Sequence, residues 1–432
     1  MYGSSNVNFP KESTKNPFQY LNRSSWLKIT SYASGLDAWN EIGDHPNWTV
    51  DEAATLGHIQ LIEWFHNNEK EWVQTRGWQS GWAQRNMDFA AMSGNLNVVE
   101  WLHKYRSEGC STEAIDGAAS AGYLNVVEWL YSHRSEGCTS KALPGAASAG
   151  HLKIAEWLHR RCMGNLPDGF MNTVAGKGHL NVVEWLHEHD IRGCSIWAMN
   201  NAAAAGHLNV VEWLHTNRLE GCSEEAMDDA AAAGHLNVVE WLYLHRTEGC
   251  TNRGLVEAAL AGHLAVVEWL HARHMGYFPD HFMSAVAREG KMNVLEWLHR
   301  YDIAGCDVWA MNYAAETGNL KMVEWLHTHR SEGCTDIALD LAAREGNLKV
   351  LKWLHANRSE RCSQLAAEWA AENGHLDVVE WLHMHRAEGS LTIWVIMIAA
   401  REGHFHIVRW FLTKVDKRDL QQVRSQFGAF FH

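Results

Sequence analysis

The chain has 432 residues, of which 46% are hydrophobic and 20% charged, and its formal net charge is −14 with histidine counted as neutral. This length exceeds what one ordinary core supports, so we expect several domains or one elongated array. The negative charge repels polyanions and anionic lipid surfaces, and no tight cluster of basic residues offsets it, so the sequence predicts no nucleic-acid partner. No apolar run reaches the roughly 18 residues of a membrane span, so no membrane association is expected.

The N-terminal residues 1–48 carry no regular pattern and no apolar stretch like that of a signal peptide. We expect this segment to be partly disordered, and its end could form a cap. An insertion with Trp72, Trp78 and Trp82 widens the gap before Trp101, and the pattern does not explain it. The absence of targeting signals predicts a cytoplasmic or nuclear protein.

A tryptophan followed by leucine then recurs at a fixed interval of 28 residues. Trp64 precedes the regular series by 37 residues and Trp410 follows it by 29, which makes 13 units. Such a period is the signature of a repeat architecture. The regular series is Trp101, Trp129, Trp157, Trp185, Trp213, Trp241, Trp269, Trp297, Trp325, Trp353 and Trp381.

One regular unit, Ser223–Cys250, shows the helix signals of all of them. Ser223 is a favourable N-cap, the alanine-rich stretch after it favours helix, and Gly234 ends that helix. A second helix is predicted from Leu236 to just before Gly249. Each helix is too short to be stable alone, so stability must come from the stacking of neighbouring units.

The unit resembles the ankyrin repeat. The residues that carry the resemblance are Ala230-Ala231, Gly234-His235-Leu236, Val238-Val239 and Leu242, and the pattern extends over residues 50–412. The resemblance implies an all-α, right-handed helical-repeat solenoid of about 13 antiparallel helix pairs. The ankyrin unit has about 33 residues and a β-hairpin, so the shorter unit here predicts little or no strand. A generic solenoid of helical pairs is the alternative fold.

This organisation predicts three parts: the N-terminal segment 1–48, a repeat solenoid over residues 49–412, and a C-terminal capping segment over residues 413–432. Comparing the units separates two faces of the first helix, with positions counted back from the repeat tryptophan. Positions −15, −14, −11 and −10 are small or apolar and predict the buried face. Positions −16, −12, −9 and −8 vary freely, so we expect them to be exposed.

In the last third of the chain the variable face becomes apolar. The ankyrin resemblance implies that this face lines a concave groove where partners dock, and aromatic anchors beside arginine are typical of an interface centre. For Trp394 and Ile398 the alternative, equally favoured, is packing against the C-terminal segment. The predicted partner-binding residues are Trp309, Tyr313, Ile337, Leu341, Arg344, Leu365, Trp369, Trp394 and Ile398.

The repeated tryptophans occupy one helical position, which predicts packing in or near the core as a stacked ladder. Histidines such as His187 and His189 are two residues apart and point about 200° apart on a helix, so they cannot share a metal ion, and we expect no metal site. The histidine that follows the turn glycine, for example His235, matches a structural turn position of ankyrin-like units.

Eight of the nine cysteines recur in register. Equivalent points on stacked helices lie about 10 Å apart, whereas a disulfide needs Cα atoms within about 7 Å. The cysteines are therefore predicted to be small, buried thiols in a reducing compartment.

No catalytic motif occurs, and a repeat spreads identical groups along an axis instead of converging different ones. The sequence therefore predicts a non-catalytic protein–protein interaction scaffold, with no cofactor and with a protein partner. The alternatives are a self-assembling structural protein that uses the same apolar face and, less favoured, a regulatory subunit of an enzyme.

Overall fold

The computed structural model describes residues 49–69, 81–162, 166–191, 193–303, 305–385 and 393–414. Within these ranges the chain forms 26 α-helices and no strand. The prediction of an all-α repeat solenoid is confirmed. The expectations for residues 1–48, for Trp72 and Trp78, and for residues 415–432 fall outside the described residues.

The chain divides into two compact units. The first holds the described residues of Met1–Ala147 and Lys153–Asn165, and the second those of Ser148–Leu152 and Leu166–His432. Helices of the first unit are α1 Val50–Leu56, α2 Ile59–Asn67, α3 Gln84–Met92, α4 Leu96–Tyr105, α5 Glu113–Ala121, α6 Leu124–His133, α7 Ala142–Ser148 and α8 Leu152–Cys162.

The second unit continues the alternation of first and second helices. Its helices are α9 Phe170–Gly176, α10 Leu180–Glu188, α11 Ile196–Ala204, α12 Leu208–Asn217, α13 Glu225–Ala232, α14 Leu236–His245, α15 Asn252–Ala261, α16 Leu264–Ala272, α17 Phe282–Arg288, α18 Met292–Arg300, α19 Val308–Glu316, α20 Leu320–His329, α21 Asp336–Arg344, α22 Leu348–Asn357, α23 Leu365–Glu372, α24 Leu376–His385, α25 Ile393–Arg401 and α26 Phe405–Leu412.

Alanine lets successive first helices lie against one another. Helix α13 packs against α11 and α15, and it also contacts its own second helix, α14. Ala226, Ala230 and Ala231 are fully buried in these contacts, and Met227 is 2% exposed. The predicted buried face of the first helix is confirmed.

A glycine in the left-handed region closes each helical hairpin. Gly234 has φ of +82°, its N–H donates to the carbonyl of Ala231, and the N–H of His235 donates to that of Ala230 at 2.9 Å. This is the hydrogen-bond pattern of a Schellman helix end. Only glycine adopts this backbone without strain. The turn is short, and α14 begins two residues after the glycine.

The side chain of the residue that follows this glycine contacts the preceding repeat. A Cβ on Gly234 would lie 2.6 Å from Nδ1 of His263, the equivalent histidine one repeat later. Asn347 occupies the same position in its repeat, and its Nδ2 donates to the carbonyls of Ala315 and Glu316 at 3.2 and 2.6 Å. These side chains cover the C-terminal end of the preceding first helix, which otherwise leaves carbonyl groups without partners.

In most repeats a polar side chain that is buried or half-buried joins two neighbouring first helices. Asp228 is 2% exposed and accepts from the backbone N–H of Thr251 at 2.8 Å and from its hydroxyl. Asn200 accepts in the same way from the N–H of Ser223 at 3.1 Å and donates to its Oγ at 2.8 Å. The pattern recurs for Asp88, Asp116, Asn172, Asn312 and Asp340.

Sequence reasoning did not recognise this polar position, which is position −13 when counted back from the repeat tryptophan. It also assigned Ser223 as the N-cap of its helix. In the structure, the N-cap of α13 is Glu224, and Ser223 is bonded to Asn200 of the preceding repeat. The inter-repeat hydrogen bond uses the hydroxyl that a local cap would have used.

We predict that Gly234→Ala destabilises the protein more than Gly249→Ala. Both glycines have positive φ, at +82° and +72°, so each alanine variant incurs about 1–2 kcal/mol of backbone strain. Only at Gly234 does the added Cβ displace a ring of the next repeat, because nothing lies within 4 Å of a Cβ at Gly249. Thermal unfolding followed by circular dichroism measures both variants, and equal losses would contradict the contact assigned to His263.

Asp228 and its neighbour Asp229 form a second matched pair. Asp228→Ala leaves the Thr251 N–H without its acceptor and should cost about 2–3 kcal/mol. Asp229→Ala should cost about 0–1 kcal/mol, because Asp229 is 35% exposed and pairs with Arg253 at the surface. Asp228→Asn should lie between them, since Asn200 and Asn312 fill this role in other repeats. Denaturant unfolding of the three variants checks this order.

Candidate protein-binding surface

The nine predicted partner-binding residues lie on four successive first helices, α19, α21, α23 and α25. We call these residues the C-terminal row: Trp309, Tyr313, Ile337, Leu341, Arg344, Leu365, Trp369, Trp394 and Ile398. Each of the four helices packs against the next, so equivalent positions on them are neighbours.

Position −16 carries the exposed part of the C-terminal row. Trp309 is 39% exposed, Ile337 37%, Leu365 44% and Trp394 61%. Four large apolar side chains therefore face solvent, one from each repeat. Exposed apolar side chains grouped on neighbouring helices commonly mark an interaction surface.

Position −12 is less exposed than the sequence predicted. Tyr313, Trp369 and Ile398 are half-buried, and Leu341 is buried with 7% exposed. The expectation that this position faces solvent is wrong for Leu341. Helix α21 lies between α19 and α23, so Leu341 is flanked in the neighbouring repeats by Tyr313 and Trp369 at the same position.

Ion pairs border the row at positions −9 and −8. Arg344 Nη2 lies 2.5 Å from Glu316 Oε1, and its Nε lies 2.7 Å from Glu345 Oε1. The same guanidinium lies 6.0 Å from the ring centroid of Trp369. Arg401 repeats the arrangement two repeats later with Glu372 and Glu402. The hydrogen bond to Glu345 raises the pKa of Arg344, so this side chain stays charged.

One pair of exposed apolar residues was missed in the sequence. Ile196 and Trp197 begin α11 and are 38% and 48% exposed. They lie four units before Val308 and Trp309, in the octapeptide Gly-Cys-Ser-Ile-Trp-Ala-Met-Asn that returns as Gly-Cys-Asp-Val-Trp-Ala-Met-Asn. This duplication was the available signal, but polar residues around Trp197 led us to expect a solvated face.

The repeated tryptophans lie near the core, as predicted, but they alternate with other rings and are not stacked on one another. The ring centroid of Trp241 is 5.2 Å from His215 of the preceding repeat in an edge-on contact. It is 4.4 Å from His245 of its own helix in a stacked contact. Trp185, Trp297 and Trp381 are buried, and the other repeat tryptophans are half-buried.

In several repeats an arginine joins the histidine of the preceding repeat to a glutamate of the linker, which is the segment between a second helix and the next first helix. Arg246 Nη1 lies 3.5 Å from His215 Nδ1, and its Nε donates to Glu248 at 3.2 Å. A guanidinium has no acceptor, so it donates and the histidine nitrogen accepts. The same bond joins Arg106 to His66, Arg134 to His103, Arg218 to His187 and Arg330 to His299.

Within the described ranges, no group of three histidine, cysteine or acidic residues is arranged to hold a metal ion. Burial raises the pKa of four linker thiols to about 11, so they remain protonated and unreactive at neutral pH; these are Cys110, Cys250, Cys306 and Cys334. None of these four forms a disulfide.

The described helices are also too short, or too polar, to cross a lipid bilayer.

Comparison with known families supports the repeat assignment. The family described as "Ankyrin repeats (many copies)" matches residues 311–355, 339–383 and 367–412. Residues 311–412 therefore match the ankyrin-repeat family, which confirms the resemblance seen in the sequence. Almost all of the C-terminal row lies within this match. Among curated proteins, none matches the chain.

Among solved structures, the chain is similar to a pentatricopeptide repeat protein, PPR10 from maize. The identity is 11%, the TM-score is 0.32, and the match covers 92% of this chain and 68% of that one. PPR10 in complex with an 18-nt psaJ RNA element matches at 12% identity and a TM-score of 0.33, over 87% of this chain and 67% of that one. Scores this low give no indication of the ligand of this chain.

The linker ion pairs predict loss of stability in acid. A hydrogen bond from Arg134 lowers the pKa of Glu136 to about 2, from 4.5. Because the folded pKa lies below the unfolded one, the stability from this pair is complete above pH 4.5 and is lost as the pH falls towards 2. The pKa is lowered as well for Glu108, Glu220, Glu248, Glu332 and Glu360.

The thermal unfolding temperature, measured at pH 7, 5 and 3, should therefore be lower at pH 3 than at pH 5 and 7. Glu136→Gln should destabilise the protein at pH 7 and reduce this fall. Glu113→Gln is the control, because Glu113 meets Lys141 only in an exposed pair at 3.5 Å. If Glu136→Gln and Glu113→Gln show the same pH dependence, the linker pair does not have the role assigned to it.

Proposed function

We propose that this protein is a non-catalytic scaffold that binds a protein partner along its C-terminal row. The observation that carries the proposal is the exposure of Trp309, Ile337, Leu365 and Trp394 on consecutive repeats. Burying such side chains against a partner is favourable by about 25 cal/mol per Å² of apolar surface. The ankyrin repeats of residues 311–412 agree with a protein-binding role.

The chemistry of the remaining polar groups supports binding without catalysis. Asp228 is bonded to the start of the next first helix, and His215 lies between Trp241 and Arg246. The thiol of Cys110 is held protonated by burial. These groups are engaged in joining repeats, and each recurs in several of them. Free thiols also suit a reducing compartment, so the proposal assigns the protein to the cytoplasm or nucleus.

The centre of the C-terminal row is apolar, and the charge of its arginine is paired with glutamates. Arg344 is bonded to Glu316 and Glu345, and it lies beside the ring of Trp369. This arrangement keeps the guanidinium in place next to the aromatic surface. Tryptophan and arginine are both enriched among the residues that dominate binding energy at protein interfaces.

The proposal predicts that Leu365→Ser weakens partner capture by about tenfold or more, which is the typical effect of losing an important interface side chain. Leu244→Ser is the matched control, because Leu244 is 73% exposed on a second helix, α14, outside the row. Both changes are at the surface, so neither should shift the unfolding midpoint appreciably. Immobilised wild-type and variant chains, incubated with extract of the source cells, provide the comparison by quantitative mass spectrometry.

Equal recovery by the two variants would contradict the assignment of the row. Light scattering measures the alternative on the same three proteins. A dimer of the wild type that is lost in Leu365→Ser and kept in Leu244→Ser would show that the row joins two copies of this chain.

A further inference from the structure

Resting on the proposed function, we infer that the element seated on the C-terminal row is an amphipathic α-helix of the partner, with apolar residues seven positions apart and basic residues beside them. Three properties of the row lead to this partner: the spacing of its exposed side chains, its width and its charge.

The spacing follows from the direct packing of the first helices. Helices α19, α21, α23 and α25 contact one another in turn, and packed helices lie about 8–10 Å apart. Trp309, Ile337, Leu365 and Trp394 therefore repeat at about this distance. A helix rises about 10.5 Å in seven residues. A partner helix lying across the four repeats thus places one apolar residue beside each of these side chains.

The same comparison disfavours a β-strand. A strand advances about 10 Å in three residues, and residues three apart point to opposite faces, so successive anchors would turn away from the row. A polyproline II helix has three residues and about 9.3 Å per turn, so it matches the spacing alone. The width of the surface distinguishes it from an α-helix.

The width is set by the separation of the apolar and acidic positions on each first helix. From Leu365 to Glu372 is seven residues of α23, or about 10.5 Å along its axis. An α-helix with its side chains is about 10–12 Å across. Its apolar stripe can contact Leu365 and the recessed Trp369 while its flank reaches Glu372.

The charge at the ends of the first helices determines which charge the flank of the partner helix should carry. The C-terminal ends of the four first helices carry four glutamates and two arginines, which leaves an acidic excess. Each arginine already lies in two ion pairs, Arg344 with Glu316 and Glu345, and Arg401 with Glu372 and Glu402. Lysine or arginine on the partner helix complements the excess, whereas acidic residues there would be repelled.

A regular seven-residue pattern also limits the length of the contact. The stripe of a straight helix drifts by about 20° for each heptad. Over the three intervals between four repeats the drift reaches about 60°, which is still within an apolar stripe about 100° wide. The partner helix accordingly spans about 22 residues, from Trp309 to Trp394.

Synthetic peptides test this inference on the full chain. The first probe is a 28-residue helical peptide with leucines in a seven-residue pattern and lysines on one flank. The second has the same composition with the leucines out of register, the third has glutamate in place of lysine, and the fourth is a proline-rich peptide with an apolar residue at every third position. Fluorescence anisotropy measures the dissociation constant of each.

The first peptide is expected to bind about tenfold or more tightly than the other three. Its binding should weaken by about tenfold in Leu365→Ser and remain unchanged in Leu244→Ser. Equal binding of the first two peptides, or tighter binding of the third or fourth, overturns the inference. Binding that appears only after removal of residues 415–432 also overturns it, because the chain itself would then occupy the row.

Failure of this inference is distinguishable from failure of the proposed function. If no peptide binds while capture from cell extract still depends on Leu365, the partner helix is wrong and the scaffold function stands. If neither measurement depends on Leu365, both are wrong.

Discussion

A buried hydrogen bond between neighbouring repeats is the interaction on which the rest of this structure depends. Asp228 cannot lie in an alanine-lined interface without hydrogen-bond donors, and it finds them in the N–H and hydroxyl of Thr251. Because Asn200 is bonded to Ser223 in the same way, successive first helices start in the same register. The register of the first helices is what brings Ile337 and Leu365 to equivalent places on adjacent helices. The C-terminal row is thus a consequence of the repeated hydrogen bond between first helices.

A second set of contacts joins the other ends of the repeats and uses most of the groups that could otherwise react. His215 lies edge-on to Trp241 and accepts from Arg246, which in turn holds Glu248. The thiol of Cys222 lies close enough to Arg246 and Glu248 for both to influence its pKa, which burial raises. Each group has its partner in the adjacent repeat or linker. Histidine, cysteine and glutamate at these positions therefore serve to join one repeat to the next.

Much of this fold could be predicted from the period alone, because 13 copies in one chain reveal which positions tolerate change. The buried alanine face, the glycine turn at Gly234 and the absence of a strand in the described ranges all follow from that comparison. The burial of Leu341 could not be predicted, because the free variation of residue type at its position indicated exposure in every repeat. The role of Asp228 was also missed, since an acidic residue in an exposed pattern and one in a buried hydrogen bond look alike within a single unit. Trp197 was misjudged for a related reason: its polar neighbours in sequence do not cover it in space.

The inter-repeat hydrogen bond has a consequence for how such a chain can change in length. Asp228 is bonded to Thr251 as Asn200 is to Ser223, so the partners are chemically interchangeable. Removing one whole unit would bring Asn200 opposite Thr251, a pair of the type already formed by Asn312 and Thr335. The same type of interface between first helices would form again, between two different units. Nearly the same octapeptide recurs four units later, which is the pattern that duplication of whole units produces.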